Sequence, residues 1–179
     1  MAVRRLTTCN LSELQIGMPG LTIAAGGFLA EAAAICLEDQ QHQPGVQLSV
    51  EGSYNRNVHL TWNSVSRQQK RTYADMQEST EYGAAGIAIL VLKSAAGRIV
   101  IERSKKGSYF DYWLGTEGDG QLFQNRARLE VSGILSGDQK KVESRVEQKL
   151  GQIKQAKGKL TRYVAVVEFG TPKARIVKR

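Results

Sequence analysis

Cysteine, proline, histidine and long apolar runs are all scarce in this chain of 179 residues, and each scarcity removes a class of protein. The two cysteines, Cys9 and Cys36, have neither the spacing of a metal site nor the density of a disulfide scaffold, which argues against a disulfide-rich secreted domain. Cys36 lies in an alanine-rich helical pattern and reads as a small buried hydrophobe. Three prolines and no low-complexity tract leave little of the chain to disorder. The longest apolar stretch, Ile87–Leu92, is far short of the roughly 18 residues that mark a membrane span. The start Met1-Ala2-Val3-Arg4-Arg5 turns polar at once and lacks the pattern of a secretory signal, so a reducing cytoplasm is the expected location. His42 and His59 have no third partner for zinc. The glycines match neither a P-loop nor a dinucleotide fingerprint, and no Ser or Cys sits in a nucleophile elbow.

What is present is positive charge, and it is unevenly spread. Residues 91–179 carry 19 Lys and Arg against 9 Asp and Glu, whereas residues 1–90 carry 6 against 8. A basic half of this kind suits a polyanion, most often nucleic acid, or a solvated basic face. No membrane partner is expected.

Hydrophobic periodicity orders the chain. The first 20 residues read as an irregular arm, and 22–40 as a helix with Phe28, Leu29, Ala32, Ile35 and Cys36 at helical spacing. Val46, Leu48 and Val50, then Val58, Leu60 and Trp62, alternate as a β-hairpin. One long helix is predicted from Ser64 or Ser66 toward Leu92, stopped by Ala96-Gly97, although Gly83 and Gly86 interrupt it and leave Ile87–Lys93 open as a strand. Extended segments follow at Arg98–Arg103, Tyr109–Leu114 and Arg126–Ser132. Asp138–Ala156 is an amphipathic helix, with Val142, Val146, Leu150 and Ile153 in one stripe. Tyr163–Phe169 reads as a buried strand and Ala174–Val177 as an edge strand.

Two acids stand out. Asp111 falls among aromatic residues in Tyr109–Leu114, and Glu130 falls in the apolar strand Arg128–Ser132. A carboxylate buried in a strand costs several kcal/mol unless it is paired or bound to a cation. Two on successive strands repel unless positive charge lies between them. Mg²⁺, or Mn²⁺ in its place, suits hard carboxylate oxygens. Period-two geometry puts Arg128, Glu130 and Ser132 on one sheet face and Leu129 and Val131 on the other. A turn position for Asp111, or its ion pairing with Arg126 or Arg128, is the structural alternative. Glu168 reads as the end of its strand.

This order of elements and acids resembles the PD-(D/E)XK, or restriction-endonuclease-like, nucleases over about residues 66–170. The resemblance implies an α/β fold, a mixed β-sheet flanked by helices. Residues 1–65 would form an N-terminal arm, helix and β-hairpin extension, and 66–179 the nuclease-like core, within one compact domain. It implies metal ligation by Asp111 and Glu130, with Glu81 (alternatively Glu78) as the helix acid. Ser132 stands where the family carries its water-positioning lysine, and Phe110 replaces the motif proline. Arg128, Lys140 and Lys141 are candidates for a relocated cation. The implied function is a Mg²⁺-dependent endonuclease, with DNA favoured over RNA as its partner. The alternative is an inactive nuclease fold that binds nucleic acid or serves as an assembly subunit. Arg128, Lys140, Lys141, Arg145, Lys149 and the tail Lys173–Arg179 are the expected phosphate contacts. The N-terminal extension is a candidate lid or homodimer surface.

Overall fold

The computed structural model describes residues 7–118 and 126–179; the Met1–Arg5 start read above lies outside them. Eight strands form one mixed sheet. They are β1 (Thr7–Asn10), β2 (Val46–Gly52), β3 (Arg56–Thr61), β4 (Arg98–Arg103), β5 (Tyr112–Thr116), β6 (Ala127–Ile134), β7 (Thr161–Glu168) and β8 (Lys173–Lys178), in the spatial order β1-β3-β2-β8-β7-β6-β5-β4. The helices are α1 (Ile23–Asp39), α2 (Arg67–Thr72), α3 (Met76–Ala96) and α4 (Gln139–Ile153). Among the described residues no helix is long and apolar enough to cross a membrane.

The meander β4-β5-β6 is antiparallel, and α4 carries the chain to β7, which runs parallel to β6. α1 and α3 cover one sheet face through a core that includes Leu37, Leu48, Leu60, Ile87, Leu129, Val131 and Ala165. α4 covers part of the other through Val142, Val146, Ile153, Val164 and Val166. β7 is covered on both faces, which is why its sequence is a continuous apolar run.

Four expectations are corrected. From Thr7 on, the N-terminal arm is structured: β1 pairs in parallel with β3, and a 3-10 helix at Leu11–Ile16 buries Leu11 and Leu14 in the core. The single helix from Ser66 onward is two, because Asp75 accepts from the Gln77 and Glu78 amides and starts α3 afresh after Tyr73. β8 is an interior strand between β2 and β7; it alternates like an edge strand yet receives the hairpin on its outer side. The hairpin thereby continues the same sheet as the core. Finally, Asp111 precedes β5, because Tyr109 takes a left-handed backbone (φ 66°) and the pairing of β5 with β6 begins at Tyr112.

Gly83 does not interrupt α3. A Cβ there would lie 2.9 Å from the Ala33 Cα, so glycine lets α3 lie directly against α1.

Candidate active site at the free edge of β6

β5 pairs with β6 only across Tyr112–Leu114 and Ala127–Leu129. Beyond that point the two strands part, and the β6 edge from Glu130 to Gly133 has no β5 residue opposite it. Its backbone donors still need acceptors. Asp111 Oδ2 accepts from the Val131 amide at 2.8 Å, and Glu81 Oε2 accepts from the Gly133 amide at 2.9 Å. Two carboxylates thus stand in for the missing strand. α3 comes near enough to deliver Glu81 because residue 133 is glycine: a Cβ there would fall 2.3 Å from the Thr80 carbonyl oxygen.

The face alternation expected of β6 is present. Leu129 and Val131 join the α1/α3 core, while Arg128, Glu130 and Ser132 contact residues of α4 or the turn after it. Glu130 is 2 % exposed. Its Oε1 accepts from Lys149 Nζ at 2.6 Å and from Gln152 Nε2 at 2.9 Å. Burial and the neighbouring Asp111 carboxyl push the Glu130 pKa up to about 7, against the opposing pull of Lys149. Asp111, Glu130 and Gln152 all line a cavity of about 350 Å³, whose other wall is the segment Arg103–Phe110.

The predicted residues therefore divide into three groups. Asp111 and Glu130 come together. Glu81 and Ser132 form a second cluster beside them: Ser132 Oγ donates to Glu81 Oε1 at 3.3 Å, and Arg145 Nη1 donates to Ser132 Oγ at 2.7 Å. Arg145 also lies 3.9 Å from Glu81. Among the described residues no three His, Cys, Asp or Glu side chains are grouped to hold a metal ion, so Glu81 does not complete a triad. Glu78 is exposed.

Arg128 makes up the third group. It is 5 % exposed, donates to the carbonyls of Ala156, Lys157 and Gly158, and stacks over Phe110 and Trp113. That role is structural: it ties the end of α4 to the sheet. It is neither the relocated cation nor an exposed phosphate contact. The cations that reach the acids are Lys149 and Arg145, from α4. Lys140 and Lys141 stay exposed, Lys141 Nζ donating to the Ser136 carbonyl. In β8, Lys173 pairs with Glu51 at 3.3 Å.

Sequence reasoning missed Gln152 and the cavity wall Arg103–Phe110 apart from Tyr109, which with Tyr112 and Trp113 could be read as a base-stacking residue but more readily as core. Helical spacing was the available signal for Gln152, since Lys141, Arg145, Lys149 and Gln152 recur at i+4, i+4 and i+3 beside the apolar stripe. Searches of family models, curated proteins and solved structures find no match to the chain.

Proposed function

We propose that the protein is a Mg²⁺- or Mn²⁺-dependent phosphodiesterase of the restriction-endonuclease-like class, acting on nucleic acid. One observation carries this reading: Asp111 and Glu130 lie side by side, backed by Lys149 and Gln152, in an open cavity where β5 and β6 part. The run α3, β4, β5, β6, α4, β7 supports it, since this is the element order the resemblance implies.

The donor set fits a hard divalent ion. Both side chains offer carboxylate oxygens, and the burial of Glu130 and then the neighbouring Asp111 charge, which together raise its pKa, are costs that a cation relieves. Lys149 and Gln152 hold Glu130 and the Val131 amide holds Asp111, so these two carboxylates are the residues that would hold the ion. When bound, such an ion would polarise a phosphodiester and lower the pKa of a water. The chain's own residues then have defined tasks. Lys149 supplies the fixed positive charge that Ser132 does not, from a helix instead of the strand. Gln152 fixes the Glu130 rotamer. Arg145, braced by Ser132 and Glu81, holds a second positive group on the same side.

Isothermal titration with Mn²⁺ and Mg²⁺, alongside cleavage of single- and double-stranded DNA and RNA, tests the reading. One site is expected, lost with cleavage in Asp111→Ala and Glu130→Ala. A protein that takes up no divalent ion and cuts nothing would overturn it. A second reading, a binding protein without catalysis, draws on the 2.6 Å contact of Lys149 with Glu130, in which an internal ammonium serves as the counter-ion. Nucleic-acid binding without metal uptake would select it.

A further inference from the structure

The wall opposite the acids has features that the proposed chemistry does not use. From the last residue of β4 toward β5 the chain runs Arg103-Ser104-Lys105-Lys106-Gly107-Ser108-Tyr109-Phe110 and lines the Asp111/Glu130 cavity. The loop is fastened at its base. Ser104 donates its amide to the Asp111 carbonyl at 2.9 Å and its hydroxyl to the Phe110 carbonyl. The Ser108 amide closes a turn on the Lys105 carbonyl at 3.1 Å. Phe110 is buried, edge-on to Trp113 with centroids 4.8 Å apart.

Tyr109 behaves in the opposite way. It is 44 % exposed and sits at φ 66°, a backbone region that bulky residues rarely adopt. The left-handed turn sends Phe110 into the core and leaves the preceding ring at the cavity mouth. An exposed aromatic held in an unfavourable backbone at the lining of a cavity fits ligand contact. Lys105 and Lys106 are also exposed, and among the described residues neither is in an ion pair. Two ammonium groups and a ring beside a carboxylate pair match a strand of nucleotides, with phosphates for the lysines and a base face for the tyrosine. A ring can stack only on a base already out of a duplex.

We propose that Arg103–Tyr109 is a single-strand-binding loop, in which Lys105 and Lys106 contact phosphates and Tyr109 stacks on an unpaired base next to the phosphate presented to Asp111 and Glu130. The position of that phosphate rests on the function proposed above; the single-strand preference does not.

The test is fluorescence anisotropy in EDTA with labelled oligo-dT, oligo-U and a duplex of equal length. The unaltered protein should bind a single strand more tightly than the duplex, with the dT and U arms separating DNA from RNA. Tyr109→Ala should weaken single-strand binding by about tenfold, within the range for loss of one stacked base, and leave duplex binding unchanged. Tyr109→Phe should keep the affinity. Tyr109→Gly relieves the backbone, so it should fold at least as well and still lose binding. Lys105→Ala with Lys106→Ala should reduce the salt slope by about 1.4. Equal affinity for both forms, or Tyr109→Ala and Tyr109→Gly binding as before, would overturn the proposal. The two readings fail separately. Single-strand binding through Tyr109 without metal uptake or cleavage removes the enzyme and leaves the loop. Metal-dependent cleavage that Tyr109→Ala leaves equal on both substrates removes the loop and leaves the enzyme.

Discussion

Glu130 and Glu168 sit on neighbouring parallel strands, each 2 % exposed, and each is flanked by apolar residues in the sequence. Their surroundings differ completely. Glu168 accepts from three backbone amides, those of Gly137 at 3.2 Å, Gly170 at 2.7 Å and Thr171 at 2.8 Å. Those donors belong to the turns at the ends of β6 and β7, so the carboxylate there is a rigid staple. Glu130 accepts from two side chains that can rotate away, has another carboxyl beside it, and opens onto a cavity. A buried acid is therefore not in itself a sign of chemistry. In Glu168 both oxygens are taken by main-chain amides, which marks a structural carboxylate, whereas Glu130, held by exchangeable side-chain donors next to a like charge, is suited to bind something.

The sharpest way to break this contrast is to remove the staple. Glu168→Ala leaves three amides without their acceptor, each worth roughly 1–3 kcal/mol when buried, so a loss of about 3–5 kcal/mol is expected in urea unfolding. Divalent-ion binding by the fraction that remains folded should be unchanged. Undiminished stability, or metal affinity lost with the fold intact, would erase the distinction between the two glutamates.

Glu130→Gln should do the reverse. The folded-state pKa of about 7 lies above the ordinary 4.5, so the native state binds the extra proton and stability falls as pH rises between those values. Below about pH 4.5 the acid and the amide should be equally stable. Above about pH 7 the variant should be more stable by roughly 1–3 kcal/mol, the lower end applying because Lys149 loses its partner. Metal binding should vanish in the variant, and in the unaltered protein it should strengthen with pH up to about 7. Urea curves at pH 4 and pH 8 check the first part; a variant less stable at pH 8 would show that Lys149 already outweighs the burial of Glu130.

The contrast also marks what the sequence made legible. The strands from β4 to β7 and helices α1 and α4 follow from periodicity, because each buries a face that the pattern writes out. Glu130 was visible as an acid in an apolar strand, and Asp111 as an acid among aromatics. Which sheet position β8 takes was not visible, since a hairpin more than 100 residues earlier in the chain covers its outer side. Nor was the division between Lys149 and Lys140: on a basic helix, identity does not say which ammonium turns inward. The carboxylate caps of Asp111 and Glu81 on β6 depend on where two strands part, which no local pattern records. Ser132 was singled out as the departure from the motif that the chain resembles; the structure puts Arg145 on its hydroxyl and Lys149 on the adjacent Glu130, both from α4.

Lys149 gives a smaller and more specific test of Glu130 as an exchangeable site. Lys149→Met removes the internal counter-ion without much change in bulk. Glu130 and Asp111 would then attract a divalent ion more strongly, by about tenfold, as expected for about 1.4 kcal/mol between partly screened charges. Cleavage should nevertheless fall, because the fixed positive charge facing the phosphate is gone. Weaker metal binding in this variant would mean that Lys149 orients Glu130 for the ion instead of competing with it.

The smallest effect is expected at Ser132, and it decides where the catalytic cation resides. Ser132 is 1 % exposed, and its hydroxyl joins Arg145 to Glu81. Ser132→Ala removes that link but leaves Arg145 within 3.9 Å of Glu81, so stability should fall by about 1 kcal/mol or less. Metal binding should be unaltered and cleavage reduced only a fewfold. Ser132→Lys introduces the lysine of the motif that the chain resembles, yet it places a second cation in a closed slot where Arg145 Nη1 now donates to the Ser132 hydroxyl at 2.7 Å. Overpacking and like charge should then destabilise the fold without raising activity. Cleavage that increases in Ser132→Lys would show that the strand position still governs the chemistry and that Arg145 and Lys149 do not replace it. Cleavage unchanged or lower, together with its fall in Lys149→Met, would locate the working charge on α4.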